Sequence, residues 1–224
     1  MAATGIREKA KKFQKFVKGL EEKHPQALPK RGAPLLERFV FYLLAYSNPV
    51  SAAKTVVADL TDERTFGSWN EVRVATVREL AEVLRRHGIE PADFLAPRLK
   101  QFLQKVFEEV DDTALEPIHE DLEKLSGEKL KKQLEKTKNF IRDLPGIPPW
   151  GPSYLLTGLG LEQDIPWDPH TEQALDEQKV FPPKSNLVQK KRVAKALLEG
   201  LEGLDPLDVH HLLVEHAKQA QKKR

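Results

Sequence analysis

Cysteine is absent from the chain, which excludes disulfides, thiolate zinc sites, iron–sulfur clusters and cysteine nucleophiles together. The absence also fits a reducing compartment. No apolar run approaches the ~20 residues that span a bilayer. The opening residues, MAATGIREKAKK, are charged where a secretion signal would be apolar. The expectation is a soluble cytoplasmic protein with no membrane partner, nucleoid-associated if bacterial. A surplus of one charge is missing too: 36 Lys and Arg face 34 Asp and Glu, a net +2. A general polycation is therefore excluded, and any grip on nucleic acid has to come from local patches. Strict apolar–polar alternation between hairpin turns is nowhere sustained, so strands are not expected.

What is present is helical. The 224 residues suit one large domain or two small interlocked ones, at roughly 150 residues per domain. With 40% hydrophobic and 31% charged residues, a real core under a charged surface is affordable. Leu99, Phe102, Leu103, Val106, Phe107 and Val110 fall at i, i+3, i+4, i+7, i+8 and i+11, a single apolar stripe. Val72, Ala75, Leu80, Val83 and Leu84 form a looser stripe, opened by Ser68 with Glu71 as a capping box and stopped at Gly88, with Pro91 starting the next helix. Further helices are predicted over 6–23, 35–46, 51–60, 128–143, 152–159, 169–178, 188–201 and 206–220. The fold class is all-α. Two proline-rich stretches, His24 to Pro34 and Phe181-Pro182-Pro183-Lys184-Ser185-Asn186, interrupt the pattern as links.

The stretch Leu144-Pro145-Gly146-Ile147-Pro148-Pro149-Trp150-Gly151-Pro152 lies between two helical patterns. Such a turn places backbone N–H groups and the positive end of a helix dipole where a phosphate can be held without reading base sequence. The alternative is an ordinary interhelical turn. The run Leu144-Pro145-Gly146-Ile147 resembles the LPG-V-G hairpin of helix-hairpin-helix DNA glycosylases, the endonuclease III superfamily. Beyond it come Tyr154-Leu155-Leu156-Thr157-Gly158-Leu159-Gly160 and then Ile165-Pro166-Trp167-Asp168-Pro169-His170-Thr171. The ungapped count from the hairpin lands Asp168 on the family's catalytic aspartate and His170 on the histidine of its V-D-T-H segment. Upstream, Leu35 to Leu44 stand where the family begins its central helical domain.

The resemblance implies a two-domain helical fold with a cleft between the domains. A central domain over 32–164 would end in the hairpin, and 1–31 would pack with 165–224. It implies double-stranded DNA as partner and Gly146, Ile147, Gly151, Ser153 and His170 as DNA-binding residues. The activity implied is base-excision repair: hydrolysis of the N-glycosidic bond of a flipped base, with Asp168 catalytic. No metal and no other cofactor is expected, and a monomer suffices. Three departures bear on this. Trp150 stands where bifunctional members carry the Schiff-base lysine, so lyase chemistry is not expected. Pro148 replaces the hairpin's second glycine and has no N–H to offer. The four cysteines that hold an iron–sulfur cluster in many members are missing. A non-catalytic DNA-binding protein on the same scaffold and a helical protein–protein adaptor are the alternatives.

Several residues carry two readings. Asp168 before Pro169 reads as a helix N-cap, and under the resemblance as a carboxylate aimed into the cleft. Trp150 and Trp167 could line a base pocket or simply pack a hinge. Tyr46, Ser47 and Asn48 match where the family fills the gap left by a flipped base, or else they end a helix before Pro49. Near the N-terminus nine cations from Arg7 to Arg31 face Glu8, Glu21 and Glu22, and Lys222-Lys223-Arg224 close the chain. These cations could meet phosphates or merely be solvated. The acids Glu108, Glu109, Asp111 and Asp112 lack ligand spacing, and His210, His211 and His216 miss the i, i+4 spacing of a helical zinc pair.

Overall fold

The computed structural model describes residues 3–30, 32–182, 184–198 and 204–222; of 3–8 and 119 only the backbone is described. Arg31, Pro183, Lys223, Arg224, the end of the 188–201 helix and the side chains of Arg7 and Glu8 lie outside the described residues. The described chain is all-helical, with twelve α-helices and one 3-10 turn. It forms two compact units, Pro29–Leu159 and Met1–Leu28 with Gly160–Arg224. The sequence puts the corresponding boundaries at 31/32 and 164/165.

The unit spanning Pro29–Leu159 contains α2 (Leu35–Ala45), α3 (Val50–Leu60), α4 (Trp69–Val74), α5 (Val77–Arg86), α6 (Ala92–Val110), α7 (Glu116–Glu123), α8 (Gly127–Arg142) and α9 (Gly151–Gly158). Helix α2 is apolar almost all round and lies buried from Phe39 to Ala45, packed on α3 and α9. Its start follows Pro34, which has no capping side chain, and Glu116 at the head of α7 substitutes: its carboxylate accepts from the Leu35 N–H at 2.7 Å. The predicted stripe of α6 turns Leu99, Phe102, Leu103 and Val106 fully inward, while Phe107 is half-buried beneath the Arg73 guanidinium, 3.9 Å away.

The single helix expected from Ser68 to Gly88 is two helices. Ser68 accepts from the Glu71 N–H and starts α4, which ends at Val74. Thr76 then opens α5 with a full capping box: Thr76 Oγ1 accepts from the Glu79 N–H (3.2 Å), and Glu79 Oε2 accepts from the Thr76 N–H (2.8 Å). The Lys100 ammonium fills the break by donating to the carbonyls of Arg73 and Ala75. Helix α7 is a further addition; its apolar pattern amounts to little more than Ile118 and Leu122, too short a repeat to announce a helix.

The other unit contains α1 (Ala3–Lys23), the 3-10 turn Pro25–Ala27, α10 (Pro169–Glu177), α11 (Leu187–Leu198) and α12 (Pro206–Gln221). The 3-10 turn falls inside the stretch expected to be non-helical. Helix α1 packs on α11 and α12, and α10 packs on α12. Phe13, Val17, Leu20, Leu175, Val209 and Leu213 are the centre of its core. No described helix is long and apolar enough to cross a membrane.

Candidate functional site

Helix α8, the turn 143–150 and α9 form the hairpin region. The Asp143 N–H donates to Asn139 O (2.9 Å), closing α8, and Leu144 is buried beneath the turn. Gly146 has φ +75°, the left-handed region that side chains disfavour. A Cβ there would also sit 2.3 Å from Arg98 O on α6. Glycine is thus required twice at this position, by conformation and by close approach. Ile147 is half-buried and covers the start of α9, where a Cβ on Gly151 would be 3.0 Å from Ile147 Cβ.

Fewer amides are presented than the sequence suggests. The Gly151 N–H donates to Pro148 O at 2.8 Å, and Pro152 has no N–H. Ser153, half-buried, is the first residue of α9 with an amide that neither constraint removes. Beside the turn, Pro145 borders a groove of about 390 Å³ with Arg73, Lys100, Gln104, Lys105 and Glu108. Burial pushes the Lys100 pKa down, the Arg73 charge acts the same way, and Glu79 opposes them.

Trp150 is buried at 5% exposure. Its ring meets Tyr42 edge-on at 4.5 Å, with Tyr46 at 5.3 Å, Phe39 at 5.9 Å and Tyr154 at 6.1 Å. Tyr42 and Tyr154 stack nearly parallel at 5.3 Å, and Tyr154 Oη donates to Arg38 O. Trp150 is therefore part of the α2–α9 packing. At the end of α2, Tyr46 is half-buried and Ser47 exposed. Asn48 is buried, donating through Nδ2 to Leu44 O (3.0 Å) and accepting the Glu90 N–H at Oδ1 (2.8 Å). That pair of bonds makes Asn48 the pin between the end of α2 and the start of α6.

Asp168 is the N-cap of α10, and Pro169 takes the first helical turn. Its Oδ1 accepts the Thr171 N–H at 2.8 Å. Its Oδ2 lies 3.5 Å from His210 Nε2, and neither side chain is exposed to solvent. His210 Nδ1 is 3.0 Å from Thr171 Oγ1, so one histidine of α12 contacts both ends of the cap. Burial pushes the His210 pKa down to about 4; the Asp168 charge and a backbone hydrogen bond with Pro166 act against that, and nearby His170 adds to it. His210 is therefore neutral at pH 7. His170, on the first turn of α10, is half-buried; burial lowers its pKa, Asp168 opposes and Lys218 reinforces. Trp167 is half-buried against Phe181 at 6.0 Å, and its Nε1–H reaches Glu172 Oε2 at 3.4 Å.

His210 is the site residue that sequence reasoning missed. Its spacing fits no metal pair, but it lies on the buried face of α12, with Leu213, Val214 and Ala217 at i+3, i+4 and i+7 all buried. No group of His, Asp or Glu able to hold a metal occurs among the described residues. The chain matches no family model, and no curated protein matches it in sequence.

Proposed function

We propose that this chain is a monofunctional DNA glycosylase-like protein of base-excision repair. It takes double-stranded DNA as partner and hydrolyses the N-glycosidic bond of a flipped, damaged or mismatched base. The two-unit arrangement would correspond to that fold, with the α8–turn–α9 hairpin on the phosphate backbone. The observation that carries the proposal is Asp168, a carboxylate fixed by the Thr171 amide at the head of α10, downstream of a hairpin whose glycine tolerates no side chain. A fixed carboxylate supplies opposite charge to an oxocarbenium-like sugar and can take the proton of the attacking water. The water oxygen bonds to the anomeric carbon, the base leaves with its bonding electrons and is protonated, and an abasic strand remains. With Trp150 in the core, no Schiff-base route runs through that position.

A second reading, a non-catalytic DNA-binding protein, is favoured by one specific observation. The Asp168 side chain is fully buried, with one oxygen on Thr171 and the other facing His210. Single-turnover assays on duplexes carrying a panel of damaged and mismatched bases separate the two. Free base with an intact abasic strand is the expected result. Salt-sensitive binding without base release across the panel favours the second reading, and no binding to duplex DNA at low salt overturns both.

A further inference from the structure

Within the unit that holds α1, α10, α11 and α12, a groove of about 880 Å³ is lined by Lys9, Lys179, Lys184, Lys190 and a single acid, Asp176. Asp176 is not available to balance this set. It pairs with Lys190 at 2.8 Å, and Glu172 takes the same ammonium at 2.8 Å. Lys190 is thus neutralised and braces α11 against α10. Lys9 is anchored, its ammonium donating to Val180 O at 3.0 Å with two further N–H bonds left to point elsewhere. Lys179 and Lys184 are exposed and make no ion pair among the described residues.

The backbone marks the same two lysines. Lys179 has φ +51° and Lys184 φ +62°, conformations in which glycine or asparagine fits better than lysine. Lys179 occupies the left-handed position that closes α10, where its N–H donates to Asp176 O. Lysine at two such places on one groove adds charge where backbone preference argues for another residue. Helix α11 extends the field with Lys191, Arg192 and Lys195, all exposed, and no acid along its length. In a chain whose net charge is only +2, this concentration is local.

We propose that the groove binds the phosphodiester backbone of nucleic acid through Lys9, Lys179 and Lys184. The inference rests on the DNA-binding reading above and adds a second contact, remote in sequence from the hairpin. Lysine ammoniums act as point charges on phosphate oxygens, contribute no base readout and release counterions on binding.

The test is fluorescence anisotropy on a short labelled duplex of arbitrary sequence, read across a salt series. The variant Lys179→Asn with Lys184→Asn removes two charges while placing asparagine at both left-handed positions, so it should unfold in urea no earlier than the parent protein. The matching control, Arg78→Gln with Arg86→Gln, removes two exposed charges from α5 in the other unit, outside the groove. Expected for the groove pair is roughly tenfold or greater weakening at low salt and a log–log salt slope shallower by about two. The control pair should change affinity by less than about threefold. Equal losses in both pairs, or an unchanged groove pair beside a DNA-binding parent, would overturn the groove and leave the DNA-binding reading standing. A parent protein that does not bind duplex removes both. Displacement of the duplex by polyglutamate as readily as by unlabelled duplex would assign the groove to acidic protein instead.

Discussion

Gly146 and Arg98 touch backbone to backbone: a Cβ added to the glycine would fall 2.3 Å from the arginine's carbonyl oxygen. The turn after α8 is therefore seated on α6, and its shape is tied to that helix. Gly146→Ala meets two costs, about 1–2 kcal/mol for the left-handed backbone and about 1–3 kcal/mol for overpacking. Urea unfolding should show a loss of about 2–5 kcal/mol from the two together. A loss below about 1 kcal/mol would mean the turn lifts off α6 with little resistance.

Trp150 should behave as a core residue. Truncation to alanine empties the space among Phe39, Tyr42, Tyr46 and Tyr154 and should cost about 3–5 kcal/mol. Trp150→Phe should retain much of that stability. An alanine variant as stable as the parent protein would show that the rings repack without it.

His210 gives stability a pH dependence of known sign. Its folded pKa, about 4, lies below the value near 6.5 of the unfolded chain, so between the two the unfolded state holds the extra proton. Stability should therefore fall as pH drops from about 6.5 toward 4, by something on the order of 3 kcal/mol, and this contribution should level off below that. His170, also lowered by burial, adds in the same direction. Replacement of His210 by glutamine should flatten the profile in this window. A parent profile already flat from pH 7 to 4 would contradict the buried neutral histidine.

Asp168 can be split into its two roles. Asparagine caps a helix as well as aspartate does, so Asp168→Asn should keep the Thr171 bond and most of the stability. Asp168→Ala should lose about 1 kcal/mol of capping. Under the glycosylase reading proposed above, base release by the asparagine variant should fall roughly a hundred- to a thousandfold, because the charge is gone while the geometry stays. Release at the parent rate would take the carboxylate out of the chemistry.

The helical character was legible because apolar spacing repeats over many turns, as on α6, and the cap at Asp168 was legible because Asp-Pro is a local signal. The break between α4 and α5 was not. Periodicity runs through Ala75, and only the Thr76–Glu79 box marks the restart. Glu79 is held below the usual carboxylate range by hydrogen bonds from the Thr76 amide and hydroxyl, so this contribution fades as pH falls through its folded pKa. The His210–Asp168 contact and the Lys9–Val180 bond join residues that are distant along the chain, 171 positions apart in the second case. No window of sequence contains such pairs, and pattern reading works only within a window.

Position 150 has the character of a ratchet. Filling it with an indole completes a cluster in which each ring supports the others, so the step toward tryptophan is downhill in packing. A change from tryptophan to lysine is uphill: the lysine would be thinner than the space the indole fills, and its ammonium would be stripped of water. A designer wishing to install an amine nucleophile in this turn would have to recast α2 at Tyr42 and Tyr46 along with it, because no single replacement both fills that space and solvates a charge.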